Sequence, residues 1–197
     1  MLNISYVKAL SEHYAKMFET TTAKAGAITD TGGKVNTLIF VGMPSAERPY
    51  YKLGTIGMSD TRQRKTHTPY TELVMTLPAY WQFNTGQSKW DWPIDALKAA
   101  VATPATSKHS FTYYSSFALN EQFDTFDKST DKCAMMFAPL AQFDNKKYGT
   151  TKIKGRKVHF MQIFGASKYT YDVLDKPNRK ELVNKLISSQ KFDFLVY

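Results

Sequence analysis

The sequence predicts an α+β fold, with a largely antiparallel sheet of about six strands flanked by three helices. Three observations predict it. Helical periodicity appears near the start, in the middle and near the end of the chain. Two groups of three strand-like runs fill the intervals between those segments. The strands are grouped as hairpin-linked sets and do not alternate one by one with helices, which argues against a doubly wound parallel sheet.

The first helix spans Ser5 to Thr20, where Val7, Leu10, Tyr14, Met17 and Phe18 form one stripe on a 3.6-residue period. Asn3 or Ser5 offers the capping oxygen. Thr20 to Lys34, with Gly26, Gly32 and Gly33, reads as a loop. Three strands follow. Leu38 to Val41 is a continuous apolar run suited to burial on both faces. Tyr51 to Met58 carries Gly54 and Gly57, marks of a bulge or a close backbone approach. Tyr70 to Leu77 puts Thr71, Leu73, Met75 and Leu77 on one face and Glu72, Val74 and Thr76 on the other, and Pro78 ends it. The second helix starts at Pro93, carries Ile94, Leu97 and Val101 on one side, and stops before Pro104. Further strands are expected at Phe111 to Leu119, Cys133 to Leu140 and Lys157 to Phe164, the last entered through a Lys154-Gly155 turn. A third helix covers Asn178 to Gln190, and Phe192, Phe194 and Val196 alternate as in a short terminal strand.

The chain has 197 residues, which predicts one domain over 1–197. No stretch reaches about 18 consecutive apolar residues, and the N-terminus has no long apolar run, so neither a transmembrane helix nor a secretory signal is expected. A cytoplasmic location is the corresponding expectation. A single cysteine, Cys133, excludes an internal disulfide framework, and its apolar strand context makes it a small buried hydrophobe.

The net charge of +9 is unevenly spread. Residues from Lys146 to Tyr197 include 12 basic and 4 acidic side chains, against 14 and 13 in the first 145. The densest stretch is KKYGTTKIKGRK, Lys146 to Lys157, and a second cluster holds Arg62, Arg64, Lys65 and His67. Such a field attracts an acidic partner or nucleic acid, or simply solvates a hairpin.

Catalytic and cofactor signatures are missing. His13, His67, His109 and His159 show no metal-ligand spacing, and Asp124, Asp127 and Asp131 lack the alternation of a calcium loop. No nucleotide-binding glycine motif or nucleophile elbow occurs, so no cofactor or metal is expected. Glu72 stands out as a carboxylate inside an apolar strand, where burial demands a hydrogen-bonding partner.

LGTIGMSD (Leu53 to Asp60), TELVMTLP (Thr71 to Pro78), WDWPIDALKAAV (Trp90 to Val101) and GRKVHFMQIFG (Gly155 to Gly165) together resemble the suppressor-of-fused-like (SUFU) domain family, in order and spacing, from about Leu38 to Ile187. The resemblance implies an α+β domain that binds proteins and is not an enzyme. In animals such a domain captures a client peptide by strand addition. In bacteria similar stand-alone domains are immunity proteins for a toxin encoded nearby, and this chain looks like that kind. The animal Gly-Asp-His stretch after the middle helix is replaced here by SFTYYSSFALN, Ser110 to Asn120.

The leading expectation is therefore an antitoxin that binds and neutralises a cognate protein toxin. Protein interfaces favour aromatic and basic anchors. Tyr113, Tyr114 and Phe117 on the fourth strand, with Lys152, Lys154 and Lys157 on the basic hairpin, are the candidate contacts. Trp81 and Trp90 are further candidates, and Trp92 is assigned to the core. The alternatives are a basic nucleic-acid-binding module and an enzyme using Glu72 with a histidine.

Overall fold

The computed structural model describes residues 3–20, 23–29, 36–64, 66–106, 110–118, 120–174 and 176–188. Helix α1 (Ile4–Phe18) starts at Asn3, whose Oδ1 accepts from Ser5 N at 3.1 Å, and ends at a left-handed Glu19. It buries Tyr6, Leu10, Tyr14, Met17 and Phe18. Strands β1 (Ala23–Thr29), β2 (Asn36–Gly42), β3 (Tyr50–Ile56) and β4 (Thr71–Pro78) follow as an antiparallel meander. Helix α2 (Ser88–Thr106) leads to β5 (Ser116–Ala118) and β6 (Lys132–Ala138). A single turn, α3 (Asn145–Tyr148), precedes the hairpin β7 (Thr150–Ile153) and β8 (Arg156–Ser167). Helices α4 (Lys168–Leu174) and α5 (Arg179–Ser188) close the described chain.

All eight strands join one sheet, in the order β1-β2-β3-β4-β8-β6-β5, with β7 beside β8. Every pairing is antiparallel except β4 with β8. The α+β class and largely antiparallel sheet are thus as expected. The sheet exceeds six strands through β1 and β7.

Period two sorts the residues of the central strands between two helical layers. Leu73, Met75 and Leu77 of β4, with Met161 and Ile163 of β8, pack under Trp92, Ala96, Leu97 and Val101 of α2. Val74, Val158 and Phe160 take the other face, against Tyr6, Leu10, Tyr14 and Phe18 of α1. Phe164 and Ala166 extend that face toward Leu174 and Val183 of α4 and α5. All eight residues of β4 are buried. Gly54 is required where α1 crosses β3, since a Cβ there would lie 2.4 Å from the Tyr14 ring.

Several expected boundaries are corrected. The segment Thr20 to Lys34 contains β1, because a full register against β2, from Ala23↔Gly42 to Thr29↔Asn36, supplies backbone bonds that its glycine and alanine do not advertise. Helix α2 begins before Pro93, with Trp90 and Asp91 N–H groups already donating to Gln87 O, and runs past Pro104 to Thr106. Packing of its apolar side on the sheet outweighs the two prolines. The expected strand Phe111 to Leu119 reduces to the three residues of β5. A turn closed by Ser115 N–H donating to Thr112 O replaces its first half, with Tyr114 at φ 72. Phe192, Phe194 and Val196 lie outside the described residues.

Candidate functional site

Glu72 anchors the site from below. Its side chain is completely buried, and its Oε1 accepts from Gly57 N, Ser59 N and Ser59 Oγ at 3.0, 3.0 and 2.5 Å. Oε2 accepts from Thr55 Oγ1 at 2.6 Å. Tyr6 O–H completes the chain of hydroxyls at 2.6 Å from Ser59 Oγ, and Thr55 Oγ1 in turn accepts from Leu73 N at 2.8 Å. Two backbone N–H groups can aim at one oxygen because Gly57, at φ 120, bends the chain between β3 and the 3₁₀ turn Met58–Asp60. Burial pushes the carboxyl up to about 7, against hydrogen bonds that favour its charged form. Among the described residues the hydrogen bonds to the Glu72 carboxylate come from Thr55, Gly57 and Ser59, so its partners are structural hydroxyls and amides rather than a histidine.

Above this network lies an exposed basic rim. The Arg156 guanidinium pairs with Asp60 Oδ1 at 3.0 Å and covers the Tyr70 ring at 5.2 Å. His159 N–H donates to Tyr70 O at 2.8 Å. These contacts bring the two basic clusters of the sequence to one end of the sheet. Arg62 and Arg64 from the loop before β4 are exposed, as are Lys152, Lys154 and Lys157 on the β7–β8 hairpin. Lys152 and Lys157 are direct register partners, so two cations stand opposite each other on one face of the ribbon. Lys154, at φ 46, and Gly155, at φ 79, make the turn, and Lys154 Nζ donates to Asn3 Oδ1 at 2.8 Å.

The aromatic candidates sit beside this rim but not on an exposed strand. Tyr113 is half-buried against the α2 layer, its ring edge-on to His159 at 6.4 Å, and burial pushes its hydroxyl up to about 12. Tyr114 packs toward α4 and α5, with its O–H donating to Asn184 Oδ1 at 2.8 Å. Phe117 lies in β5 opposite Met135. Tyr113 and Tyr114, expected on the fourth strand, lie instead in the turn before β5, which sends both rings into packing. The loop before β4 holds this segment, Gln63 Oε1 accepting from Phe111 N at 2.8 Å and Thr68 Oγ1 donating to Phe111 O at 3.3 Å. Sequence reasoning missed Asp60, Gln63 and Arg156 as the groups that tie the rim together. The adjoining GMSD and GRK motifs were the available signal.

The remaining candidates resolve into structural roles. His13 stacks on Phe160 at 4.3 Å and reaches Tyr148 O at 3.1 Å through Nε2. Cys133 is buried, its thiol pushed up by burial. Asp127 Oδ1 accepts from Ser129 N and Oγ at 2.8 and 2.6 Å, and hydrogen bonds from Ser129 and Ser88 hold its carboxyl down at about 2. Trp81 and Trp92 are core residues, whereas Trp90 is half-buried. Among the described residues no three His, Cys, Asp or Glu side chains gather as metal ligands, and no helix is long and apolar enough to cross a membrane. His109 lies outside the described residues.

Comparison with known proteins agrees with this architecture. The family model "Suppressor of fused protein (SUFU)" matches residues 33–196, and the chain belongs to that family. A putative SUFU homolog from Neisseria gonorrhoeae superposes with a TM-score of 0.68 at 12% identity, over 98% of this chain and 94% of that one. The Sufu-Fu complex structure gives 0.67 at 14% identity, over 97% and 88%. Drosophila Suppressor of Fused gives 0.67 at 12% identity, with 98% of this chain spanning 49% of the fly protein. No curated protein matches the chain at the level of sequence.

Proposed function

We propose that this chain is a protein-binding module, and that its basic rim docks on an acidic face of a bacterial protein toxin and neutralises it. One observation carries the reading. Lys152 and Lys157 face each other across the hairpin, Lys154 stands at its turn, and the Asp60–Arg156 pair joins the hairpin to the loop that carries Arg62 and Arg64, with the three lysines and the two loop arginines all exposed. Like charges directly opposite on a ribbon destabilise it, and an anionic partner relieves the repulsion. The rim rests on a rigid base, the buried Glu72 network and the Arg156–Asp60 pair, so little reorganisation opposes docking. Tyr113 and Tyr114 then act from behind the rim, shaping the loop that borders it, and Phe117 takes its register position on the edge strand β5.

Family membership supports a binding role over an enzymatic one, since a solved relative is a complex, Sufu-Fu. The likeness in fold to the Neisseria gonorrhoeae homolog supports the bacterial setting of this reading. Nucleic acid is the weaker reading. The rim's cations would attract phosphate, but Tyr70 lies beneath Arg156 and Tyr113 is half-buried, so neither ring is open for base stacking.

The test is co-expression with the neighbouring toxin gene in a sensitive host. Wild-type protein should restore growth, and a folded Lys152→Glu, Lys154→Glu, Lys157→Glu variant should restore it poorly. Full rescue by the triple variant would move the interface away from the rim. Failure of the wild type with every adjacent gene would remove the immunity function.

A further inference from the structure

At the opposite end of β4 the chain forms a second, differently built surface. A groove of about 360 Å³ is lined by Phe83, Asn84, Trp90, Asp91, Ile94, Asp95 and Lys98. β4, which separates the two surfaces, has eight residues and spans about 23 Å at roughly 3.3 Å per step. Its aromatic wall is fixed in place. Trp81 Nε1 donates to Trp90 O at 2.9 Å and meets its ring edge-on at 5.2 Å, and Phe83 is held edge-on against Tyr51 at 5.0 Å. The indole of Trp90 already attracts one cation, Lys89 Nζ, at 5.3 Å.

The polar wall is acidic in a chain of net charge +9. Asp95 pairs with Lys98 at 2.8 Å in an exposed contact that a competing cation can displace at little cost. Asp91 is half-buried beside Trp90, and its carboxylate has no hydrogen-bond or ion-pair partner among the described residues. The acidic loop 120–131 adds to this field, since Asp127 bonds Ser88 at the start of α2 and Phe126 stacks on Trp92 at 5.5 Å.

We infer that this groove is a second recognition site, which takes an arginine side chain presented by a protein partner. The chemistry selects arginine. A planar guanidinium stacks on an indole and bonds a carboxylate in the same pose, whereas an ammonium does only one of these well. The chain's overall positive charge repels free cations at a distance, so binding depends on short-range stacking and pairing, which a side chain held on a docked protein surface satisfies.

The probe is the blocked tripeptide acetyl-Gly-Arg-Gly-amide, titrated into the full chain while the tryptophan indole N–H resonances are followed by NMR. The Trp90 signal should shift and saturate, and the norleucine analogue should leave it in place. Asp91→Asn with Asp95→Asn, in a protein whose other resonances are unchanged, should weaken the peptide by about fivefold or more. An equal response to norleucine, or unaltered affinity in the double variant, would overturn the assignment. So would a Trp90 shift on simple dilution of the protein that Lys152→Glu abolishes, because a second copy would then be the occupant.

Discussion

Glu72 is the residue whose environment makes the sharpest claim. Burial raises its carboxyl above the usual range to about 7, so the folded chain keeps a proton that the unfolded chain releases near 4.5. Stability contributed by that proton is present below about 4.5 and is lost as pH rises through about 7, by up to about 3 kcal/mol. His13 and His159 act in the opposite sense. Burial lowers both, so they stay neutral in the fold and cost stability as pH falls below their ordinary value. The Glu72 contribution is therefore read as a difference. Glu72→Gln keeps an acceptor for the Gly57 and Ser59 donors and turns an amide toward Thr55. Urea unfolding at pH 4.5, 5.5 and 7 should show wild type losing stability relative to this variant as pH rises. A flat difference would show that the four hydrogen bonds hold the carboxylate ionised throughout. The sequence marks Glu72 as a buried acid needing a partner, and it marks Gly57 to Asp60 as a motif. That the motif is the partner depends on the bend at Gly57, which only the backbone path reveals.

The β7–β8 hairpin shows a conflict between local stability and binding. Lys152→Glu converts the Lys152–Lys157 repulsion into a cross-strand ion pair, worth about 0.2–1 kcal/mol to the fold. The same change should slow association with the partner, and most strongly at low salt, because steering is screened over about 8–10 Å at ordinary ionic strength. Melting temperature and stopped-flow on-rates on one preparation check both halves. An on-rate unchanged across salt would leave the hairpin merely solvated. The strands and helices that sequence patterning locates well, such as β4, β6 and α1, bury side chains of regular period against a layer on at least one face. Those it misplaces are governed by pairing instead. β1 exists through its register with β2, and β5 is cut short by the Tyr114 turn, whose carbonyl the Arg179 guanidinium fixes at 2.7 Å from a distant helix.

Across the molecule, charge is arranged by geometry more than by composition. Cations from two stretches of the chain meet at the start of β4, and Asp91, Asp95 and Asp127 collect around the start of α2 near its other end. The central pairing of β4 with β8 joins the first half of the chain to the second, and the layers on both sheet faces share those strands. The expected consequence is a single domain that unfolds in one step. Fluorescence of the tryptophans, all on the α2 side, and far-UV circular dichroism should give coincident denaturation midpoints. Two separated transitions would show two units.

The sequence by itself determined the α+β class, the capped N-terminal helix, the faces of β4, the basic hairpin and the family motifs. These follow from periods, caps and turn residues that act over a few positions. Tertiary contacts decided that the loop of Arg62 is tied to the hairpin of Lys152 through Asp60 and Arg156, that Tyr113 and Tyr114 pack rather than project, and that Asp91 meets Trp90 in a groove. Those outcomes depend on which strands pair across long separations, and pairing partners leave no local mark in a chain.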